Sequence, residues 1–451
     1  MAEDVWGDES DIVAEVVGLI SRRILRASDP KTTARPASEL AAEASKTVTA
    51  AGLGATEVLR IFEDTLLPAT RAQDDPYNLA YIPAAPTKAA KAFDAAVASY
   101  NIFAGIWEAG AGAIFAENEA LGWLIELLGW PDTAGGCFVS GGTMGNLSAL
   151  IAARDHVRRQ RGRDASTAIL CTVDAHSSVV AAARVMDVDV VVVEEDDRGH
   201  LTGTAVRDAL EEHREVFAVV ASAGTTNGGV VDDINDIADV CSEFDVWLHV
   251  DGAYGGAGLA APSVRWRFDG IERADSFIVD PHKWLFAPYD CCALIYRNAA
   301  LARAAHTQHA GYLDAIDREV WNPADLAVHL SRRARGLPFW FSLAVHGTDR
   351  YAEAIERTLT VARAIADGIR SIPTLRLLLE PELSVLIFDR PGWAESDYVR
   401  WSARLAREGL ILCVPNVWQE RMALRLAMVN PATDPVHVID VLRETTATDH
   451  P

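Results

Sequence analysis

Between residues 130 and 298, short runs of β-branched and other apolar residues alternate with Ala-rich stretches long enough to form helices. The runs lie at residues 137–140, 168–173, 189–194, 216–222, 246–251, 276–279 and 291–297. Runs that are apolar on both faces and separated by helix-length segments are typical of a mainly parallel sheet covered by helices on both sides. The pattern therefore predicts a doubly wound α/β domain with a mainly parallel seven-stranded sheet.

Residues 1–84 are predicted to form an N-terminal helical arm. An amphipathic helix is expected at residues 12–25 and a second helix near residues 56–66, followed by a Pro-punctuated loop. Because this segment cannot bury its own apolar stripe, we expect it to lie on the large domain or on a second subunit.

The large domain is predicted at residues 85–345, and a smaller C-terminal α+β domain at residues 346–451. Two helices and three short strands are expected in the smaller domain. They lie near residues 351–369, 396–408, 374–379, 384–389 and 423–429.

Charge limits the partners that the chain can bind. It carries 41 Lys plus Arg against 64 Asp plus Glu, a formal net charge of −23. A field of this sign repels phosphate backbones and anionic lipid heads, so we expect no nucleic-acid partner and no membrane partner. No uninterrupted apolar run approaches the roughly 20 residues of a bilayer span, and the acidic first residues do not resemble a targeting signal.

Six cysteines show no CxxC spacing, and most of them lie in strand-like apolar runs. Free cysteines are commonly buried, so we expect reduced thiols with neither a disulfide nor a metal-binding role. Reduced thiols in turn favour a cytoplasmic location.

A glycine-rich turn follows the first predicted strand. It reads SGGTMGN at residues 140–146, and a helical pattern begins directly afterwards. Glycines let the backbone approach an anion closely, and free N–H groups at a helix start supply donors. The turn is a candidate phosphate site, although a turn without a ligand explains the same glycines. It lacks the Lys and Ser/Thr of a nucleotide P-loop, which argues against ATP or GTP.

Two charged groups lie at other predicted strand ends. Asp251 ends the run at residues 246–251, and Lys283 lies between His282 and Trp284, shortly after the run at residues 276–279. Taken alone, Lys283 is equally well explained as a surface lysine. A phosphate site, a carboxylate and an amine are, however, the three groups that pyridoxal phosphate chemistry requires, because the amine forms the Schiff base and the carboxylate keeps the ring nitrogen protonated.

The chain resembles the group II pyridoxal-phosphate-dependent decarboxylases of amino acids, which include aromatic-L-amino-acid and glutamate decarboxylases. Five segments carry the resemblance, in one order, within residues 75–433. They are SGGTMGN (140–146), DAHSS (174–178), SAGTTNGG (222–229), HVDGAYGG (249–256) and DPHKW (280–284). The resemblance implies a carboxy-lyase with the aspartate aminotransferase-like fold (fold type I), working as a homodimer with a shared active site.

The resemblance also implies contacts with the cofactor, pyridoxal 5'-phosphate. Lys283 would form the internal aldimine, Asp251 would pair with the pyridine nitrogen, and Ala253 would pack beneath the ring. His176 would stack on the ring, a purely structural histidine being the alternative, and Thr226 would lie near the phenolic oxygen.

Phosphate contacts are implied for the backbone amides of Gly142, Thr143 and Met144 and for His282. Asp280 occupies a position where many relatives have Asn, which adds negative charge beside the site.

An aromatic L-amino acid is the expected substrate, converted to its amine and CO2 through a quinonoid. Tyr81-Ile82-Pro83 resembles the substrate loop of aromatic decarboxylases, and Trp107 matches an aromatic position that in this family faces the pocket across the dimer. Arg425 is a candidate contact for the substrate carboxylate or else part of a structural salt bridge. Glutamate, aspartate or a diamino acid is the alternative substrate.

One departure from the family concerns its mobile loop, which should fall between Tyr312 and Ser331. The family's loop carries a tyrosine that protonates Cα after CO2 leaves, yet residues 313–330 contain no tyrosine. Tyr312 aligns better with a structural tyrosine ahead of the loop. Without this acid, oxygen could react and give an aldehyde instead of an amine. A cofactor-binding regulator without turnover is the non-enzymatic alternative.

Overall fold

Seven strands form the central sheet of the computed structural model, which describes residues 10–26, 28–29, 33–162, 167–308 and 321–447. In chain order they are β1 (Gly135–Val139), β2 (Ala168–Thr172), β3 (Asp189–Val193), β4 (Val216–Ser222), β5 (Trp247–Asp251), β6 (Ser276–Val279) and β7 (Cys292–Tyr296). They lie side by side in the order β1-β7-β6-β5-β4-β2-β3. Within this sheet β7 alone runs antiparallel to its neighbours, so the mainly parallel sheet expected from the sequence is confirmed.

Helices surround this sheet and form the arm and part of the smaller domain. The α-helices of the described ranges are α1 (Ser10–Leu25), α2 (Ala37–Ala44), α3 (Ala55–Ile61), α4 (Lys88–Tyr100), α5 (Trp107–Leu128), α6 (Gly142–Arg161), α7 (Ser178–Met186), α8 (Gly203–Glu212), α9 (Ile234–Phe244), α10 (Ala299–His306), α11 (Leu337–His346), α12 (Thr348–Ser371), α13 (Glu395–Glu408) and α14 (Pro435–Thr445). None of the helices in these ranges combines the length and apolar character needed to cross a bilayer.

Local sequence fixes several helix ends. Thr87 begins α4 by accepting a hydrogen bond from Ala90 N at 3.0 Å, and Thr202 begins α8 by accepting one from Ala205 N at 3.2 Å. Each threonine supplies an acceptor to an N–H group that has no partner within its helix. Gly409 follows α13 at a φ of 71°, a left-handed conformation that glycine adopts without strain.

Two hydrophobic layers cover the two faces of the sheet. In β4, Val219 and Ala221 belong to the layer that includes residues of α5, α8 and α9, whereas Ala218 and Val220 belong to the layer that includes residues of α6, α7 and α10. All four side chains are buried. Because successive strand residues point to opposite faces, a strand buried on both sides is apolar throughout, which is why the sequence pattern identified it.

The C-terminal region contains a second, antiparallel sheet. Its strands are β8 (Arg376–Leu377), β9 (Val385–Asp389), β10 (Val414–Trp418) and β11 (Arg421–Ala427), in the order β10-β11-β9-β8. Phe388 of β9 and Trp401 of α13 lie in its fully buried core. The expectation of an α+β unit is thus met, while domain boundaries at residues 84/85 and 345/346 remain predictions.

Sequence reasoning missed β10. This strand contains Pro415 and Asn416, residue types that are depleted in strands. It lies at the edge of its sheet, where a proline is tolerated because no second strand needs a hydrogen bond from its missing N–H group. An edge strand of this composition carries no strand signal in the sequence.

The arm exposes much of its apolar surface. Helix α1 has no buried residue, and Val13 and Val17 are both more than half exposed. An ion pair between Arg23 Nη2 and Asp74 Oδ1, 2.6 Å apart, connects α1 to the rest of the chain. The predicted inability of the arm to bury its own apolar stripe therefore holds for the described residues.

A buried ion pair ties α5 to the chain that precedes α11. Both nitrogens of the Arg332 fork donate to the Glu117 carboxylate at 2.7 Å, and Gly336 N donates to the same carboxylate at 2.7 Å. Arg332 Nη1 also donates to Ala104 O at 2.8 Å. Both charged side chains are almost completely inaccessible to solvent, so removal of either charge leaves the other buried without its partner.

Replacing Glu117 with Gln is expected to lower the free energy of unfolding by about 3 kcal/mol, because breaking one side of a buried pair strands a desolvated charge. Urea unfolding followed by circular dichroism measures the change. The matched control is Glu243→Gln, which breaks the exposed pair between Glu243 and Arg207 and should leave stability nearly unchanged. Equal, small effects in the two variants would contradict the stabilising role of the buried pair.

Candidate active site

The carboxyl ends of the parallel strands surround a cavity of about 340 Å³. Loops that follow β1, β2, β4, β5 and β6 all contribute to its wall, as expected for ligand sites in sheets of this type. The lining residues are Ser140, Gly141, Gly142, Thr143, Asn146, His176, Ser222, Gly224, Thr225, Thr226, Asp251, Ala253, Tyr254, Asp280, His282, Lys283, Tyr289 and Asp290.

Lys283 and Asp280 form an ion pair in the turn that follows β6. Lys283 Nζ lies 3.0 Å from Asp280 Oδ2, and the aspartate side chain is only 2% exposed. Burial opposes the charge on both groups, but the Lys283 ammonium holds the pKa of Asp280 below its usual value. Burial lowers the pKa of Lys283, but the charge and hydrogen bond of Asp280 raise it by more, so the pKa lies above its usual value. The amine is therefore held as an ammonium at neutral pH.

Asp251 presents a buried carboxylate at the end of β5. Its Oδ1 accepts a hydrogen bond from Ala253 N at 3.0 Å, and its Oδ2 accepts one from Asn146 Nδ2 at 2.8 Å. The side chain is fixed from two directions while it still lines the cavity. A carboxylate held in this way can face a cationic ring nitrogen without needing to reorient.

His176 and Thr226 also line the cavity, and both residues are exposed to solvent. His176 Nδ1 lies 2.7 Å from Ser178 Oγ at the start of α7. Thr226 follows Thr225, whose buried hydroxyl accepts hydrogen bonds from Gly228 N and Val230 N and so closes the loop after β4.

The glycine-rich turn leads directly into α6. Met144 N donates to Gly141 O at 2.9 Å, so this amide is used inside the first turn, and Met144 does not line the cavity. The amides of Gly142 and Thr143 have no partner in the described chain and lie at the positive end of the helix dipole. The structure therefore brings two of the three predicted amides to the cavity.

The surroundings of position 142 are closely packed. A Cβ atom there would lie 3.2 Å from Ala253 Cβ and 3.4 Å from Asp280 Oδ2. His282 also lines the cavity. Its Nδ1 lies 2.8 Å from Cys291 O, and its ring packs on Tyr289. Burial lowers the pKa of His282, against the opposing charge of Asp280.

The predicted substrate residues do not line the cavity of one chain. Tyr81 is 69% exposed, whereas Ile82 and Pro83 are buried. Trp107 begins α5 and packs in a separate cluster with Phe93. Their proposed contacts with substrate stay predictions, because those contacts were expected across a dimer interface.

Arg425 lies in β11, and its burial lowers its pKa to about 10. Its Nη1 donates to Tyr81 O at 2.6 Å and its Nε donates to Asn227 O at 3.2 Å. Its Nη2 is buried without a partner, and no carboxylate of the described residues lies within ion-pair distance. The alternative of a structural salt bridge is therefore not found in the described part of the chain.

Asn146 was not assigned a role from the sequence, and Ser178 and Tyr289 were not singled out as site residues. Asn146 lies one helical turn after Gly142, a spacing that places both on one face of α6 and could have indicated its position. Tyr289 offered no comparable signal. Tyr312, the residue considered as a substitute acid, lies outside the described residues.

Comparison with known families agrees with this site. The family model for the pyridoxal-dependent decarboxylase conserved domain matches residues 40–390. The chain belongs to the pyridoxal-dependent decarboxylases. The family resemblance expected from the sequence is thereby confirmed, as are pyridoxal 5'-phosphate as the cofactor and a carboxy-lyase activity on amino acids. The regulator without turnover is not favoured.

Relatives within this decarboxylase family act on different amino acids. The chain is 31% identical to the aromatic-L-amino-acid decarboxylase of Bacillus atrophaeus over 387 residues, which cover 82% of this chain and 80% of the relative. It is 32% identical to the L-2,4-diaminobutyrate decarboxylase of Rhizobium meliloti (strain 1021) over 359 residues, covering 75% and 71%. The family thus establishes the reaction class, and the side chain of the substrate remains open.

The fold is shared with the crystal structure of Oryza sativa TDC with PLP and tryptamine. The TM-score is 0.91 at 23% sequence identity, with 99% of each chain covered. The likeness confirms the expected fold type I.

The cavity of this decarboxylase fits its cofactor in three respects. It holds a primary amine at Lys283, a fixed carboxylate at Asp251, and two unpaired amides at Gly142 and Thr143. These are the groups required by an aldehyde, a pyridine nitrogen and a phosphate, respectively.

Replacing Asp280 with Asn is expected to speed the attachment of pyridoxal phosphate to the cofactor-free decarboxylase at pH 7. The change removes the charge that raises the pKa of Lys283, so more of the amine is neutral and able to react. The gain should be on the order of tenfold for each unit by which that pKa falls. Stopped-flow visible absorbance after mixing measures the rate.

Asp290→Asn is the matched control, because Asp290 also lines the cavity but pairs with Arg335. It should leave the attachment rate within about twofold of the unmodified protein, since an ion pair on another side chain is screened from Lys283. Slower or unchanged attachment in Asp280→Asn, at an unaltered unfolding midpoint, would contradict the proposed pairing.

Proposed function

We propose that this decarboxylase acts on an L-amino acid with a neutral aromatic side chain and releases its amine and CO2. The observation that carries the proposal is the charge of the cavity wall. Among its described lining residues, Lys283 is the only Lys or Arg, and it is already paired with Asp280. The aromatic ring of Tyr289 also lines the wall.

Acidic and diamino substrates fit this wall less well. A glutamate or aspartate side chain would find no unpaired Lys or Arg among the described lining residues, and it would meet the carboxylates of Asp280 and Asp290. A second amino group would need an available carboxylate, but Asp280 pairs with Lys283 and Asp290 pairs with Arg335. Leaving a charge unpaired in such a site is costly, so a neutral side chain is favoured.

In this proposal the cofactor is held by residues from several strand ends. Lys283 would bind its aldehyde, Asp251 would pair with its ring nitrogen, and Gly142 and Thr143 would hold its phosphate through their amides. His282, which lines the same cavity, would contact the phosphate. When bound, pyridoxal phosphate supplies a cationic ring that accepts the electron pair left by CO2.

Three further residues are proposed to hold the ring in place. All three line the cavity: Ala253 would pack against one face of the ring, His176 would stack on it, and Thr226 would contact its phenolic oxygen. Met144, expected from the sequence as a third phosphate contact, supports the turn through Gly141 instead.

Arg425 is proposed to orient the substrate through its α-carboxylate. Decarboxylation requires the bond from Cα to this carboxylate to stand perpendicular to the cofactor ring, which is an orientation effect. The unpaired Nη2 of Arg425 supplies a buried donor, and its Nε donates to Asn227 O, next to the lining residue Thr226. A fixed guanidinium in this place would hold one end of the substrate while the ring holds the other.

A second candidate function is release of an aldehyde in place of an amine. The observation that favours it is the absence of tyrosine from residues 313–330. If no acid delivers a proton to Cα, molecular oxygen can take the electrons, and the products become an aldehyde, ammonia and peroxide along with CO2. The ratio of amine to aldehyde separates the two functions.

A homodimer with a shared active site is also part of the proposal. It is supported by the apolar residues that the arm leaves exposed on α1, including Val13 and Val17, and by the position of exposed Tyr81 on the chain segment held by Arg425. Sedimentation velocity of the purified protein reports the assembly state.

We expect the cofactor-loaded protein to release CO2 fastest from tyrosine, tryptophan, phenylalanine or 3,4-dihydroxyphenylalanine in a panel that also holds glutamate, aspartate and 2,4-diaminobutyrate. The preference should be at least about tenfold, since one unpaired buried charge already costs more than 1 kcal/mol. Released CO2, amine, aldehyde and peroxide are measured in the same samples. Lys283→Ala is the negative control. A faster reaction with an acidic or diamino substrate would show that the proposed substrate class is wrong, while the assignment to the decarboxylase family would stand.

Replacing Arg425 with Gln is expected to raise the KM for the amino acid by about tenfold to a hundredfold, the range for loss of one charged hydrogen bond. The product amine lacks the carboxylate, so its inhibition constant should change by less than about threefold, the scale of an indirect effect. Steady-state kinetics with the amine as competitive inhibitor measures both. Equal weakening of amino acid and amine would show that Arg425 acts only by supporting Tyr81 and Asn227.

A further inference from the structure

A continuous hydrogen-bond network beside the cavity connects α6 with β5 and α7. Its centre is Asn146, on the first turns of α6, which is completely buried. The amide contacts Asp251 on β5, Ser178 on α7 and His249 on β5, each at 2.8 Å. The network thus connects the carboxylate on the floor of the cavity to the loop that carries His176.

Donor and acceptor roles in the network follow from Asp251, whose Oδ1 accepts a hydrogen bond from Ala253 N and whose Oδ2 accepts one from Asn146. Asn146 must therefore direct its Nδ2 group to Asp251 Oδ2 and its Oδ1 to His249. Because Oδ1 only accepts, His249 Nε2 carries a proton and donates it to Asn146. The orientation of the Asn146 amide is set by the chemistry of its partners.

The far side of His249 agrees with this assignment. His249 Nδ1 lies 2.8 Å from Ser276 Oγ, which also accepts a hydrogen bond from Trp247 Nε1 at 2.8 Å. Burial lowers the pKa of His249 to about 4, against the opposing charge of Asp251, so the ring is neutral at pH 7. A neutral ring with a proton on Nε2 has an acceptor at Nδ1, which the Ser276 hydroxyl satisfies.

The second N–H of the Asn146 amide connects the network to Ser178 and His176. It is donated to Ser178 Oγ, and the Ser178 hydroxyl is then free to donate to His176 Nδ1 at 2.7 Å. Ser178 N also donates to His176 Nδ1, at 3.3 Å. Two donors on one ring nitrogen require that nitrogen to be unprotonated, so the ring carries its proton on Nε2.

We propose that Asn146 is a positioning residue that sets the tautomer of His176 through Ser178 while it holds the Asp251 carboxylate. The Nε2–H edge of His176 makes no hydrogen bond to the described residues, and the ring lines the cavity. His176 is thereby presented as a hydrogen-bond donor to whatever lies above the cofactor ring. The donor matches a carboxylate oxygen of the substrate.

This inference deepens the proposed function and rests on it only for the identity of the group that receives the His176 hydrogen bond. The tautomer itself is a property of the protein. It is measured without substrate, so a failure of the tautomer assignment and a failure of the decarboxylase substrate assignment give different results.

The test uses the full-length protein with ¹⁵N-labelled histidine rings. Nitrogen shifts report which ring nitrogen carries the proton, and the signal of His176 among the 12 histidines is identified by its loss in His176→Gln. We expect Nδ1 to be unprotonated and Nε2 to be protonated at pH 7. A wild-type protein with the proton on Nδ1 would overturn the proposal.

Ser178→Ala removes one of the two donors to Nδ1 and leaves the Asn146 contact with Asp251 in place. The preference for the Nε2–H form should fall by about tenfold, the factor that one hydrogen bond of ordinary strength supplies. Ser178→Thr keeps the hydroxyl and should restore the preference. The control is Ser177→Ala, an exposed neighbour whose side chain caps nothing, which should leave the signal unchanged.

Asn146→Ala should do more than Ser178→Ala. It should loosen the tautomer preference and also weaken cofactor binding, with a shift in the visible absorbance of the bound cofactor, because Asp251 loses a fixed donor. Ser178→Ala should leave that absorbance within error. If Asn146→Ala does not fold, the two Ser178 variants still decide the question. A His176 tautomer that is unchanged in folded Ser178→Ala would overturn the proposal.

Discussion

The structure of the large domain depends on how the charged groups of its cavity are paired. A lysine ammonium and the carboxylates of Asp280 and Asp251 share one cavity, and a buried charge is costly without a partner. Asp280 compensates Lys283 at 3.0 Å, and Asp251 is held by two N–H donors. Residue Asp251 pairs in register with Ile278 of the neighbouring strand β6, so adjacent strand ends bring carboxylate and amine to the same wall. The parallel arrangement of β5 and β6 is therefore what makes the charge pattern possible.

Helix α6 completes this arrangement because it lies unusually close to the sheet. A Cβ atom on Gly145 would come within 2.8 Å of Ile278 Cγ2, and one on Gly142 would approach Ala253 Cβ. Only glycine allows the helix to lie at that depth. At that depth the first amides of the helix reach the cavity, and Asn146 reaches both β5 and α7. One packing constraint thus positions the anion-binding amides and the centre of the hydrogen-bond network together.

The sequence predicted most of the large domain because its signals there are local. Strands buried on both faces must be apolar throughout, and Asp251 stands out because it ends such a run. The remaining features depend on contacts between segments that are far apart in the chain. The edge strand β10 contains Pro415 and lacks an apolar pattern. The amide of Met144 donates to Gly141 O inside the turn. Tyr81 O accepts a hydrogen bond from Arg425, more than 300 residues away. Asn146 lay within a recognised motif, yet its three partners come from two other elements, β5 and α7, so its role became visible only in the fold.

The proposed tautomer of His176 bears on how Cα receives a proton. A neutral imidazole that carries its proton on Nε2 is a good hydrogen-bond donor, but giving that proton away would leave an anionic ring, so it is a poor acid. Lys283 differs, because Asp280 raises its pKa and keeps it as an ammonium whenever Nζ is not covalently engaged. It can lose a proton and remain a neutral amine. In a chain whose residues 313–330 contain no tyrosine, Lys283 is therefore better suited than His176 to protonate Cα. The balance between amine and aldehyde would then depend on Asp280, which forms the ion pair with Lys283.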